Sequence, residues 1–189
     1  MSKIKRLLQS YGNFIALPWR SDAAPAQRVI FCVYHQSEEL RLRARIDEFE
    51  LVTRQAGHEW AVFDLSDSFA NWFAGQRYAA KYFQKPQLLP TLLPRYLDHI
   101  VATFTDFLVV HHSDENCVVA LKGVGSLFAF LRVKEVVDCL APLVSGRLLV
   151  FFPGSHEDNN YRLLDGYDGW NYLAVPITAD KDLSLKVSK

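Results

Sequence analysis

Arg147-Leu-Leu-Val-Phe-Phe152 runs directly into Pro153-Gly-Ser-His156 and then into polar sequence rich in Asp, Asn and Gly as far as Trp170. Six residues, five of them apolar, bounded by Gly146 and Pro153, predict a strand buried on both faces, the pattern of parallel sheets. Beyond it, Tyr161–Leu164 and Tyr172–Ile177 read as short strands. Asp165-Gly166 and Asp168-Gly169 read as positive-φ turns between them. The segment Phe151–Ile177 is thus a fold boundary and a candidate recognition rim.

The same strand signature recurs upstream. Val29–Tyr34 is an unbroken apolar run, His58–Leu65 carries Trp60, Val62, Phe63 and Leu65, and Cys117–Leu121 is a further strand. Helical spacing fills the intervals. Ser2–Tyr11 predicts a short amphipathic helix, followed by a linker through Pro18 and Ser21–Pro25. Leu42, Ile46, Phe49, Val52 and Ala56 place a helix over Glu38–Ala56 that Gly57 ends. Ser66 or Asp67 caps a helix whose inward face is Phe69, Trp72, Phe73, Ala80 and Phe83. Leu93, Tyr96, Leu97, Ile100, Phe104, Phe107 and Leu108 form the cleanest helical stripe. After Gly123-Val-Gly125, Ser126 caps a helix reaching Leu143. Strands alternating with helices predict one three-layer α/β domain with a mainly parallel central sheet, Rossmann-like or degenerate P-loop-like without Walker motifs. Its expected parts are a helix and linker over 1–26, the domain over 27–178 and a polar tail over 179–189.

With 189 residues, half of them hydrophobic, the chain can bury a substantial core. Its 21 basic and 21 acidic residues cancel, which argues against nucleic acid as a direct ligand. Cys32, Cys117 and Cys139 sit in apolar runs and are expected as reduced core residues, in keeping with a cytoplasmic protein. No apolar run is long enough for a membrane span, and no cofactor or metal is expected.

In open α/β sheets ligands gather at the carboxyl ends of parallel strands. Here these are Tyr34–Gln36, Asp64–Asp67, Lys122–Ser126 and Pro153–His156. Lys122-Gly-Val-Gly-Ser126 could cradle an anion at a helix N-terminus. It lacks Walker A spacing, and Phe128 stands where a dinucleotide motif has its third glycine. His35 with Asp64, Asp67 or His156 could form an acid–base or metal cluster, but the spacing is not diagnostic. His111 and His112 end the long helix and, being adjacent, point apart. Trp170 and Tyr172 are core or partner-facing aromatics. The Phe69–Phe83 stripe is core, with Tyr78 and Tyr82 left over for a protein interface.

Leu121-Lys-Gly-Val-Gly-Ser-Leu-Phe-Ala-Phe-Leu-Arg132, followed by Leu148-Leu-Val-Phe-Phe-Pro-Gly154 and Arg162-Leu-Leu, resembles the BrxB family of BREX phage-defence systems over roughly Val118–Ile177. The resemblance implies a cytoplasmic accessory subunit whose neighbours include the phosphatase-like component PglZ, a large ATPase and a DNA methyltransferase. It carries no catalytic residues. Lys122, Gly123, Gly125, Ser126, Arg132, Pro153, Gly154 and Arg162 are the positions around which a partner or ligand site is expected. A non-enzymatic adaptor is the first expectation. A nucleotide or small-molecule sensor using Lys122–Ser126 is the second, and a nucleic-acid-binding subunit the third.

Overall fold

The computed structural model describes residues 2–111, 113–166 and 169–180. Its chain order is α1 (Lys3–Ile15), β1 (Val29–Tyr34), α2 (Glu39–Arg43), α3 (Ile46–Gln55), β2 (Glu59–Asp64), α4 (Ser68–Ala74), α5 (Ala79–Gln84), α6 (Leu93–Val110), β3 (Cys117–Lys122), α7 (Val133–Leu140), β4 (Arg147–Glu157), β5 (Asn160–Leu163), β6 (Trp170–Asn171) and β7 (Val175–Ile177). The expected three-layer α/β architecture is present. Five strands lie in the order β2-β3-β4-β1-β7, with every neighbouring pair parallel. This differs from the 3-2-1-4-5-6 order of dinucleotide-binding sheets. β5 and β6 continue the seven-stranded sheet as an antiparallel extension of β4.

β1 and β4 form the centre, paired from Val29↔Leu148 to Tyr34↔Pro153. Alternate side chains enter two separate cores. Val29, Phe31, Val33, Val119, Leu121, Leu148, Val150 and Phe152 face one way, against Tyr96, Ile100 and Phe104 of α6 and Val133, Val136, Val137 and Leu140 of α7. Ile30, Cys32, Tyr34, Val118, Ala120, Leu149 and Phe151 face the other, against α1 and α3. Residues 1–26, read as a helix and linker, supply Ile4, Leu7, Tyr11 and Ile15 to this second core. The first helix is also longer than expected, running to Ile15 from Ser2, whose hydroxyl accepts from the Lys5 N–H at 3.3 Å.

Other helix and strand boundaries also need correction, and of the strand expected over Tyr172–Ile177 only Val175–Ile177 forms. The helix expected over Glu38–Ala56 breaks at Arg45 (φ −127°, ψ 10°), and an Arg45–Glu48 ion pair of 2.6 Å holds the corner. Apolar spacing is blind to this break because Leu42, Ile46 and Phe49 are buried on both sides of it. The helix expected to reach Phe83 ends at Ala74, where the Gln76 amide donates to the Trp72 carbonyl at 3.2 Å. Ala80 and Phe83 are consequently exposed, not inward-facing. Ser126 opens no helix. Val124–Leu127 is one 3-10 turn, the chain leaves it through Ala129 in the left-handed region (φ 67°), and α7 starts only at Val133. β4 does not stop at Phe152 but continues to Glu157, so the expected Pro153–His156 loop is strand.

Cys32 and Cys117 are buried free thiols, whereas Cys139 is exposed, because the apolar stripe of α7 turns Val136, Val137 and Leu140 inward and leaves 139 outside. The positive-φ turn residues are Asp158, Asn159 and Leu164, not Gly166. The two successive positive-φ residues Asp158 and Asn159 join β4 to β5 as a type I′ hairpin requires. His112, Asp168 and the tail from residue 181 lie outside the described residues.

Thr53 is a fully buried polar residue between α1 and α3. Its hydroxyl donates to the Phe49 carbonyl at 2.8 Å, so Tyr11 Oη, 2.6 Å away, donates to it. Thr53→Val strands the buried Tyr11 hydroxyl and is expected to cost about 1–3 kcal/mol, against roughly 0.5–1.5 kcal/mol for Tyr11→Phe, which leaves the Thr53 bond to Phe49 intact. Urea denaturation of both variants checks the ordering, and the reverse order would refute this account of the Tyr11–Thr53 pair.

Candidate functional site

The eight expected site residues fall in three places. The first is the β3 carboxyl end. Lys122 Nζ pairs with Asp64 Oδ2 at 3.0 Å, while Asp64 Oδ1 accepts the Ser66 N–H at 2.9 Å. Burial works to raise the Asp64 carboxyl, but Ser66 and Lys122 outweigh it and hold the group below its ordinary value. Gly123 is left-handed (φ 76°), and a Cβ on it would lie 2.5 Å from the Ser66 nitrogen. Ser126 Oγ lies 2.7 Å from the Leu65 carbonyl and 2.8 Å from that of Gly123, so its one proton is held within the protein. The Ser126 and Phe128 N–H groups bond to Gly123 and Gly125. This loop locks β3 to the end of β2, and its lysine and hydroxyl are engaged in doing so.

The second place is the Pro153-Gly154 step. β4 pairs with β3 only as far as Val150 and with β1 as far as Pro153, and its antiparallel pairing with β5 begins at Gly154. Proline is tolerated there because the ladder to β3 has already ended. A Cβ on Gly154 would stand 1.9 Å from the Arg162 carbonyl, so only glycine lets the two backbones close. Gly125 belongs to the same region, since a Cβ on it would meet Pro153 Cγ at 3.4 Å. The hairpin then folds Tyr161 and Trp170 onto Phe31 and Phe152, with ring centroids 4.7–5.9 Å apart. Gln36 Nε2 donates to Asp165 Oδ1 at 2.7 Å across the β1 end. The crevice that an open α/β sheet offers between its central strand ends is bridged by this hairpin and its turn.

The third place is a groove of ≈ 1280 Å³ beside the hairpin, between the 128–135 segment on one side and Leu163, Asp165, Gly166, Gly169 and Trp170 on the other. Arg132, at the α7 N-cap, lines it. Among the described residues no carboxylate pairs with Arg132. Arg162 is exposed on β5 next to Gly169, a groove residue. Phe128 (47% exposed), Leu131 and Trp170 are apolar lining that sequence reasoning did not assemble. The signal for it is Phe128 itself, which occupies the site of a missing glycine and could not be placed while a helix was expected from Ser126. Phe130 anchors the segment by stacking on Phe69 at 3.9 Å, and Phe69 continues through Phe73 to the exposed Phe83.

A smaller cleft of ≈ 380 Å³ gathers Asp64, Asp67, Ser68, Asn71, His99 and Thr103 at the β2 carboxyl end. His35, instead of joining Asp64, bonds through Nδ1 to Ser37, and His156 packs against Tyr161. Among the described residues, no group of three or more His, Cys, Asp or Glu side chains could hold a metal ion. No described helix is long and apolar enough to cross a membrane.

The structure is thus a three-layer α/β domain with its central crevice bridged by a hairpin and a groove of mixed apolar and charged lining at its side. The family model of the BREX protein BrxB matches residues 70–176, more than half of the chain and all of the groove. The protein belongs to the BrxB family and is a component of BREX phage defence. No curated protein and no solved structure matches the chain.

Gly154→Ala is expected to destabilise the fold by about 2–4 kcal/mol through overpacking at the strand crossover, and to open the 158–166 turn to proteolysis. Thermal melts with limited proteolysis check it. The depressed Asp64 carboxyl contributes stability above its unfolded pKa of about 3.9, and that contribution fades as pH falls through the folded value. The difference in Tm between the wild type and Lys122→Met should therefore shrink as pH drops below about 4. Asp64 is half exposed, so the effect is small and screened by salt.

Proposed function

We propose that the protein is a non-enzymatic adaptor of a BREX assembly, docking another BREX component through the groove beside the hairpin. The observation that carries this reading is the make-up of the groove. Apolar Phe128, Leu131 and Trp170 lie among Arg132, Lys134, Glu135 and Asp165. Apolar or aromatic anchors surrounded by charged side chains are the anatomy of a protein interface. Phe83, 75% exposed, adds aromatic surface at the far end of the ring chain that starts from Phe130. A PglZ-type component is the partner placed first, on family resemblance alone. The ligand-binding alternative draws less support, because Lys122 and Ser126 already serve Asp64 and the Leu65 and Gly123 carbonyls.

Tagged protein recovered from cells carrying the complete BREX set should bring down another BREX component, identified by mass spectrometry. Phe128→Asp and Arg132→Glu should each reduce that recovery by roughly 30-fold, the effect of a 2 kcal/mol hot spot. Asp67→Asn and His99→Ala, in the polar cleft, should leave recovery and protection against phage plaques unchanged. Protection that depends on Asp67 and His99 but not on Phe128 would point to chemistry in the polar cleft and sink the adaptor reading.

A further inference from the structure

We infer that the β2 edge of the sheet is a self-complementary surface on which a second copy of this chain adds its own β2 antiparallel, about a twofold axis through Val62. The two sheet edges are treated differently. β7 is three residues long with Pro176 at its centre, the kind of short, proline-bearing edge that discourages a further strand. β2 has six residues and no proline. The Glu59 N–H bonds to the Asn116 carbonyl and the Leu65 N–H to that of Lys122, so residues 59, 61, 63 and 65 point their backbone groups at β3. By alternation, Trp60, Val62 and Asp64 point theirs outward. Among the described residues no backbone group pairs with them.

The pairing register follows from charge and size. Centred on Val62, an antiparallel pair sets Trp60 opposite the second copy's Asp64 and Glu59 opposite its Leu65, so no acid faces an acid. Ala61 falls opposite Phe63, a small residue against a large one at a close, non-hydrogen-bonded position. Centring on Asp64 would set two aspartates face to face, which is destabilising. Centring on Trp60 would set Val62 against His58, beyond the start of the strand. Only the Val62 register lets all three outward residues of each copy exchange both backbone bonds.

One flanking helix, α6, lies beside this edge. Phe63 packs against Phe104 and Phe107 of α6 at 5.1 and 5.3 Å, so α6 lies under the edge strand. His99 and Thr103 line a cleft with Phe63 and Asp64, and Val110, on the same helical stripe, is 72% exposed. A twofold axis normal to the sheet brings this stripe towards its own copy. β2 lies outside residues 70–176 and away from the groove, so this inference stands apart from the docking reading.

Sedimentation of the full chain should give a mass twice the 21.6 kDa of one copy. Val62→Lys and Val62→Glu each set like charges opposite one another on the axis and should give monomers, while an equimolar mixture should restore the dimer. Thermal melts report whether each variant folds. Independently, the Trp60, Val62 and Asp64 amides of the unmodified protein should exchange with deuterium at least ten-fold more slowly at high than at low protein concentration. A monomer at all concentrations, a dimer indifferent to folded Val62→Lys, or concentration-independent exchange at these amides would overturn the proposal. So would a monomer that dimerises only after residues 181–189 are deleted, since the tail would then be what covers the edge.

Discussion

Everything in this fold is arranged around the parallel pair β1–β4. From Val29↔Leu148 to Tyr34↔Pro153 the two strands are buried on both faces. Such strands cannot leave backbone groups unpaired, because no water reaches them. Each therefore needs a neighbour on its other side, and each face needs a helical layer. β3 and β7 supply the neighbours, α6 and α7 one layer, α1 and α3 the other. The alternation of side chains assigns Phe31 and Phe152 to one core and Cys32 and Phe151 to the second, so a register slip by one residue would exchange the two cores.

The same pair explains where a surface for partners is left. β4 outlasts β3 and changes from a parallel to an antiparallel neighbour at Pro153-Gly154. The hairpin that follows is pinned by the Phe31, Phe152, Tyr161 and Trp170 rings, and it bridges the strand ends where α/β sheets take ligands. The accessible concavity is displaced to its flank, between the hairpin turn and the irregular 128–132 segment. Aromatic packing rather than charge holds these parts together. The ion pairs are mostly between exposed side chains, such as Arg20–Asp22 and Lys134–Asp138, and contribute little each.

Much of this was legible in the chain, and the failures share one cause. Strands β1, β3 and the first half of β4 announce themselves because burial on both faces demands unbroken apolar runs. α6 announces itself through a stripe of seven apolar positions. Boundaries failed where a local pattern continued past the point at which tertiary contacts ended the element. Ala80 and Phe83 keep helical spacing with Phe69 and Phe73, yet the turn at Gln76–Tyr78 carries them onto the surface. Ser126 looks like a cap, but its hydroxyl is taken by a carbonyl 61 positions away. Gly123, Pro153 and Gly154 stood out in the sequence as positions for a partner or ligand site, and the structure gives the two glycines a steric role. That role is set by Ser66 and the Arg162 carbonyl, neighbours that lie distant in sequence.

By itself the amino-acid sequence determined the fold class, the identity of the central strands, the buried stripes of the long helix and the family, because periodicity and apolar runs are local consequences of burial. Only the tertiary structure decided the strand order, the extension of β4 into a hairpin, the groove that gathers Phe128, Arg132 and Trp170, and the contrast between a proline-guarded edge at β7 and an open one at β2. These depend on which backbones approach one another, and a backbone hydrogen bond or a forbidden Cβ contact is made by residues whose own side chains carry no mark of it.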